Sequence, residues 1–427
     1  VVKSVTDRGS IETAVRRALD VSPIVDIHTH LYPPQFGELL LWGIDELLTY
    51  HYLVAEFFRS AGDEIDHDQF WAMPKSEQAG LIWEHLFIRR SPISEACRGV
   101  VTCLKRLGLD PSERELAKHR RYFAEAGAEA HLKHVLKISR VQTVVMTNDP
   151  FDELERPVWQ SGTGYDDRFK AVLRLDRVLV LWPQTGDVLR AMGYDVQPDL
   201  SGATIGEVRR FLSDWMGRMR PLYLAVSLPP SFRFPEDAAT SRLIEHCVLP
   251  VAAEHGLPFA LMIGCRQQVN PRLRLAGDAV GKADMAAVAN LCAAFPQNRF
   301  LCTVLSRENQ HELAVIARKF HNLHIFGCWW FLNTPSLTEE ITRLRMELLG
   351  HSFTPQHSDA RVLEQLIYKW DHTRAMLARV LTNKYTDLLE SGWAVSAEQI
   401  EREVADLLGG SAMRFIQGGR PAGTARA

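Results

Sequence analysis

The stretch IVDIHTHLYPP, residues 24–34, ends an apolar run with two histidines one residue apart. In a β-strand, side chains at i and i+2 share a face. His28 and His30 therefore aim together, with Asp26 below them on that face. Two imidazoles at a strand end can hold a divalent metal such as zinc if a third ligand joins them. Without one, they are surface histidines closing an ordinary strand. The preceding IVDI is β-prone and reads as buried, which favours the metal reading.

The third ligand depends on which elements lie beside this strand. Short β-rich runs recur at 24–30, 143–149, 171–176, 222–229, 259–265, 300–305, 323–330 and 352–360. Most are continuously apolar, as parallel strands covered on both faces are. Helical patterns such as SRENQHELAVIARKF separate them. This alternation predicts an α/β fold, a distorted (β/α)8 TIM barrel. A doubly wound sheet is the competing fold, but no G-x-G-x-x-G follows the first strand.

The long gap after the first strand reads as helices: GIDELLTYHYLVAEFFRS, MPKSEQAGLIWEHLFI, ISEACRGVVTCLKRLG and ERELAKHRRYFAEAG. The expected organisation is an N-terminal helix and first strand over 1–30, then a helical insertion over 31–140. The rest of the barrel follows over 141–412, with a flexible tail at 413–427. An insertion in the first βα loop lies on the face where barrel enzymes build their sites, as a wall or lid.

Polar residues collect at the ends of these runs: Asn148 and Asp149, Arg174 and Asp176, then Ser306, Arg307 and Glu308, then Trp329 and Trp330, then PQHSDAR. Barrel closure sets the eighth strand beside the first, so Asp359 can complete a metal site with His28 and His30. Alternatively Asp359 caps the helix that follows, and His357, of the same parity, is another candidate ligand. Arg174 interrupts an apolar strand, where an unpaired cation is costly. It either pairs with Asp176 or meets an anion. Arg307 is a second candidate for an anion, with a surface pair to Glu308 as the alternative.

An H-x-H on strand one with an Asp on strand eight resembles the amidohydrolase superfamily. Longer stretches narrow the match. DIHTHL, LLTYHYLVAEFF, LSRENQHELAVIARKF, GCWWFLN and QHSDARVLEQLIYKW together resemble the uronate isomerase family over roughly residues 20 to 410. Two-metal hydrolases of the superfamily use a strand-four lysine and histidines on strands five and six. LAVSLPP, FALMIGC and FLCTVL supply none of these, so one divalent metal, zinc by preference, is expected.

The resemblance implies a metal on His28, His30 and Asp359 and a uronate substrate, D-glucuronate or D-galacturonate, converted to D-fructuronate or D-tagaturonate through an enediol. It makes Asp359 the C2 base, Arg361 an oxyanion partner, and His51 and Tyr52 pocket residues, Tyr52 as proton donor or relay and Tyr50 as packing. Arg361 could otherwise be a solvated charge. Arg174 and Arg307 would take the sugar carboxylate, and Trp329 and Trp330 would stack on the sugar or close the barrel. The rival activities are a single-metal hydrolase or decarboxylase, and a sugar-acid binding protein without turnover.

A net charge of −3 over 427 residues implies no attraction to nucleic acid or membrane surfaces. No apolar run is long enough to span a bilayer, and the first residues lack the apolar centre of a signal peptide. The seven cysteines form no CxxC, and Cys265, Cys302 and Cys328 read as reduced core thiols, suggesting a cytoplasmic compartment. Oligomeric state, a homo-oligomer included, stays open.

Overall fold

The computed structural model describes residues 4–418. The continuous apolar runs form parallel strands: β1 (Ile24–Thr29), β2 (Val141–Met146), β3 (Leu173–Arg174), β4 (Leu224–Leu228), β5 (Phe259–Ile263), β6 (Phe300–Val304) and β7 (Leu323–Ile325). β1 pairs with β2, which also pairs with Phe169–Lys170. β3 to β7 make a five-stranded parallel sheet in chain order. Every residue of β5 and β6 is buried, because both faces of these strands are covered.

The two faces feed separate apolar clusters. Ile27, Val145, Ala225, Ala260, Met262 and Leu301 meet in an inner one, while their strand neighbours pack outward against helices. Tyr223 Oη donates across the inner side to the Ile27 carbonyl at 2.7 Å.

Single bridges carry the pairing beyond the two sheets. Asn148 pairs with Leu173, and Phe326 pairs with Thr354. The Asp359 N–H donates to the His28 carbonyl at 3.1 Å, and the His30 N–H donates to the Ala360 carbonyl at 2.7 Å.

Three expected strands fall well short of their runs, 323–330 keeping only Leu323–Ile325. The run 171–176 keeps two strand residues because Asp176 opens a helix, Asp176–Val180. The run 352–360 has one bridge and no strand. Pro355 has no N–H to give, and the His357 and Ser358 N–H groups donate to the side chains of Gln356 and Asp26.

The N-terminal helix α1 (Arg8–Val21) starts at a capping box between Asp7 and Ser10. The segment after β1 is helical as expected, but its first helix breaks. α2 (Ile44–Leu48) ends, and Tyr50 adopts an extended backbone (φ −64°, ψ 141°) before α3 (His51–Ala61). α4 (Glu95–Arg106) is started by the Ser94 hydroxyl, which accepts from the Cys97 N–H, and buries Cys97, Val100, Cys103 and Leu104 on one face. α5 (Ala128–Ser139) completes the segment.

After β7 come α6 (Pro335–Leu349) and the 26-residue α7 (Gln365–Glu390), which packs on α1, α4, α5 and α6. Glu364, just ahead of α7, accepts from the Gly43 N–H at 3.0 Å and contacts His131 Nε2 of α5 at 2.6 Å. It thereby ties the helical segment to the stretch that carries Asp359.

Part of the tail expected over 413–427 is ordered into a helix. Ser411–Ile416 is helical, with Ala412 and Ile416 in the inner cluster, while 419–427 lie outside the described residues. Cys302 and Cys328 are buried thiols as expected, whereas Cys265 is half-buried. Among the described residues, no helix is long and apolar enough to cross a membrane.

Candidate active site and metal centre

His28 and His30 project from the end of β1, their rings 5.4 Å apart and edge to face. Asp359 enters from the stretch hydrogen-bonded to β1. Its backbone lies in the left-handed region (φ 52°), which non-glycine residues seldom adopt and which recurs at functional sites. This conformation turns the carboxylate toward both imidazoles: Oδ1 stands 3.5 Å from His28 Nε2 and 3.4 Å from His30 Nε2. Such separations are long for hydrogen bonds. They match two ligands of a tetrahedral ion, which stand about 3.3–3.5 Å apart when each is about 2.0–2.2 Å from the metal.

Among the described residues buried Asp359 Oδ1 has no hydrogen-bond partner, and one ligand atom from each of the three residues lies within 4.8 Å of the others. An orphaned acceptor beside two imidazole nitrogens fits one divalent cation. Burial, then the Arg361 charge, pushes His30 down to about 3, leaving the neutral imidazole a metal requires. Burial alone would raise Asp359, but His28 and His30 outweigh it and hold the carboxyl well below the usual range. His28 Nδ1 meets Thr147 Oγ1 at 3.3 Å, so Nε2 is the nitrogen that faces the site.

The trio opens on a cavity of about 440 Å3, within the range of small-molecule sites. His51, Arg174, Trp329, Trp330 and Arg361 also line it. The break at Tyr50 makes His51 the first residue of α3, and burial followed by Arg361 pushes its imidazole down to about 3. Its ring meets Trp330 edge to face at 5.4 Å. Trp330 shares the left-handed conformation of Asp359 (φ 45°), and Trp329 belongs to the inner cluster as well as to the cavity wall. Arg174 pairs with Asp176, and both face the cavity.

Five solved chains match this one. A uronate isomerase from Bacillus halodurans C-125 superposes with a TM-score of 0.95 at 55% identity, over 97% of this chain and 98% of that one. The chain belongs to the uronate isomerase family. A uronate isomerase from Thermotoga maritima (TM-score 0.75, 15% identity, 97% and 98% covered) shares the fold. So does a glucuronate isomerase from Caulobacter crescentus (TM-score 0.74, 15% identity, 100% and 98% covered). No protein-family model and no curated protein matches the chain.

Several expectations and alternatives read from the sequence need correction. Arg307 lies outside the cavity: it sits in the short helical turn Arg307–Asn309, exposed, and pairs with Glu340 of α6 rather than with a ligand or Glu308. Tyr52 does not line the cavity; it packs against Tyr50 and His51, and its hydroxyl is buried without a partner. Asp359 caps no helix, since α7 begins at Gln365 and no side chain caps it. His357 packs behind His28 at 5.2 Å, outside the metal trio.

One wall escaped notice in the sequence. A hairpin of Cys265–Arg266 and Ala279–Val280 brings Arg266, Gln267 and Asp278 to the cavity. Arg272 in its loop bonds Asp66, and the Arg272 carbonyl accepts from Trp71 Nε1, so the hairpin is clasped to the helical segment. The run RQQVNPRLRLAG has no strand period to betray it.

Asn148 and Asp149 serve the frame. Glu155 accepts from Tyr32 Oη at 2.6 Å, Asn148 Nδ2 at 2.9 Å and the Asp149 N–H at 3.1 Å, next to Thr147. Burial pushes the Glu155 carboxyl up from 4.5 to about 7 despite these bonds. A carboxyl whose folded pKa is raised contributes stability that is complete below the unfolded value and is lost as pH rises through the folded one. Glu155→Gln is therefore expected to flatten the fall in urea midpoint between about pH 5 and about pH 8. An unchanged slope would show that Glu155 is not its source.

Proposed function

We infer that this protein is a uronate isomerase that interconverts aldose and ketose hexuronates, D-glucuronate with D-fructuronate and D-galacturonate with D-tagaturonate. The observation that carries this is the convergence of a three-residue candidate metal site, a neutral histidine and three arginines on one cavity, in a chain 55% identical to a uronate isomerase. The reading takes the strands as a distorted (β/α)8 barrel with residues 31–140 inserted after β1. In its support, backbone bonds and bridges link β1 to the stretch after β7, and one inner cluster draws on strands throughout the chain.

The reaction moves the C2 proton to C1 and the O2 hydroxyl proton to O1 through an enediol. It needs a base at C2, electrophilic groups for the oxygens and a cation for the C6 carboxylate. A divalent ion, zinc by the two-imidazole, one-carboxylate donor set, would stabilise negative charge developing on the sugar oxygens.

Asp359, ionised by its surroundings, accepts the C2 proton. Its low pKa makes it a weak base, so transfer requires its hold on His28 and His30 to loosen as sugar binds. Arg361, on the cavity wall two residues on, steadies the oxyanion. The backbone there is fixed by Gln365 Oε1, which accepts from the Arg361 N–H at 2.8 Å. Neutral His51 offers one donor and one acceptor nitrogen to neighbouring sugar hydroxyls. Trp329 and Trp330 exclude water and pack the ring. Tyr52 is a support behind His51.

Arg174 takes the C6 carboxylate by exchanging part of its pairing with Asp176. Arg174→Met is expected to raise KM for a uronate roughly ten- to a hundredfold, as loss of a charge-assisted hydrogen bond does, with a smaller change in kcat. Equal KM values for variant and wild type would remove Arg174 from the carboxylate site.

Proton NMR of the metal-loaded protein with D-glucuronate, and separately D-galacturonate, in D2O tests the function. Ketouronate signals are expected, with deuterium at C1 of the ketose and at C2 of the re-formed aldose. Unchanged sugars with no deuterium would overturn the isomerase reading.

A further inference from the structure

A second cavity of about 220 Å3 is bounded by α4, the start of α6, α7 and Gln356. Its volume far exceeds the roughly 10–15 Å3 that one water needs. Lys369 of α7 lines it while only 3% exposed. Among the described residues no carboxylate or carbonyl accepts from its ammonium, which lies 5.4 Å from the Tyr52 ring centroid and 5.5 Å from that of Tyr368. Burial, opposed by the more distant Asp359, Glu95 and Asp26, pushes this lysine down to about 8. A cation so placed is costly unless an anion or water completes its shell.

A second donor is idle at the same cavity. Asn333 Nδ2 is buried without a partner, although Asn333 Oδ1 accepts from Gln356 Nε2 at 3.1 Å. The other charges around the space lean positive. Glu95 is engaged by Arg98 at 2.7 Å and His372 at 2.6 Å, and Arg379 at the mouth pairs with Glu339. Arg98 and Arg379 are about half exposed, so the cavity reaches solvent between them.

We propose that this cavity binds a small oxyanion, held between the Lys369 ammonium and the Asn333 amide. Occupancy bears on the first site through short links. Gln356 Oε1 accepts from the Cys328 N–H at 3.1 Å, and the Asn333 N–H donates to the Trp330 carbonyl. The anion would thus brace the loop that presents Trp329 and Trp330 to the sugar.

The test is calorimetric titration of the metal-loaded full-length protein, pre-equilibrated with excess uronate so that the first cavity is filled. Phosphate is the titrant in one arm and acetate in the other. Saturable binding of phosphate, of acetate or of both supports the site and tells a tetrahedral anion from a carboxylate. Lys369→Met and Asn333→Asp are each expected to weaken binding about tenfold or more. No saturable heat with either anion, or wild-type binding in Asn333→Asp, would overturn the proposal. Asn333 is only half-buried, so that variant decides the matter if Lys369→Met fails to fold. Both residues lie outside the first cavity, so the two variants assign the binding to this one whether or not uronate fills the first.

Discussion

Asp359→Asn is expected to lower kcat by about 10³- to 10⁴-fold while the protein keeps its fold, the upper range for loss of a general base. The asparagine has nearly the same shape, so the buried backbone turn at φ 52° survives; asparagine tolerates that conformation well. The carboxylate charge that two imidazoles hold in place is gone. On the proposed function the variant would therefore lose its proton acceptor and the one anionic group of the candidate metal trio together. Ketouronate formation followed by NMR, with metal content measured on the same sample, separates the losses. A variant that retains metal but not turnover points to the base. One within tenfold of wild-type kcat would sink the role of Asp359 in proton transfer.

Gly327→Ala is expected to destabilise the fold by about 2–4 kcal/mol, the sum of a left-handed backbone penalty and an overpacked interior. Gly327 has φ +70°, and a Cβ there would stand 1.8 Å from His357 Nδ1. His357 is wholly buried against His28 and Phe326, so it has nowhere to retreat without moving His28. Gly350→Ala is the control: its φ is +61°, yet nothing lies within 4 Å of the added carbon. That variant carries only the backbone penalty, about 1–2 kcal/mol. Urea midpoints of the two should differ; matching values would mean that the His357 contact relaxes freely.

The parts of the site read correctly in the sequence are those governed by strand parity and by neighbourhood. His28 and His30 share a face because period two is rigid, and Asp359 reaches them because its stretch hydrogen-bonds to β1. What stayed hidden was set by single backbone departures. TYHYL reads as unbroken helix, since nothing in its composition marks the extended Tyr50, and that break is what turns His51 toward the cavity and Tyr52 away. Arg307 follows a strand end just as Arg174 does, but its helical turn swings it out to Glu340, a partner 33 residues on. The stretch 352–360 looks like a strand by composition, while the His357, Ser358 and Ala360 N–H groups are spent on side chains. The hairpin wall has no apolar period, and only its tertiary clasp to Asp66 and Trp71 shows why it stands where it does.

The buried carboxylate of Asp26 receives the Ser358 N–H and the Trp370 indole, partners 332 and 344 residues further along the chain. Until those partners arrive, an acid in the middle of an apolar strand has nothing to satisfy it. β1 and its histidines are made early, but their support is made last. Contacts of such span are slow to form because loop closure must precede their reward. During synthesis the newly made N-terminal half would thus wait with an incomplete first strand, exposed to mispairing. The capacity to hold a metal ion would appear in one late step, when the segment from Ser358 to Trp370 docks.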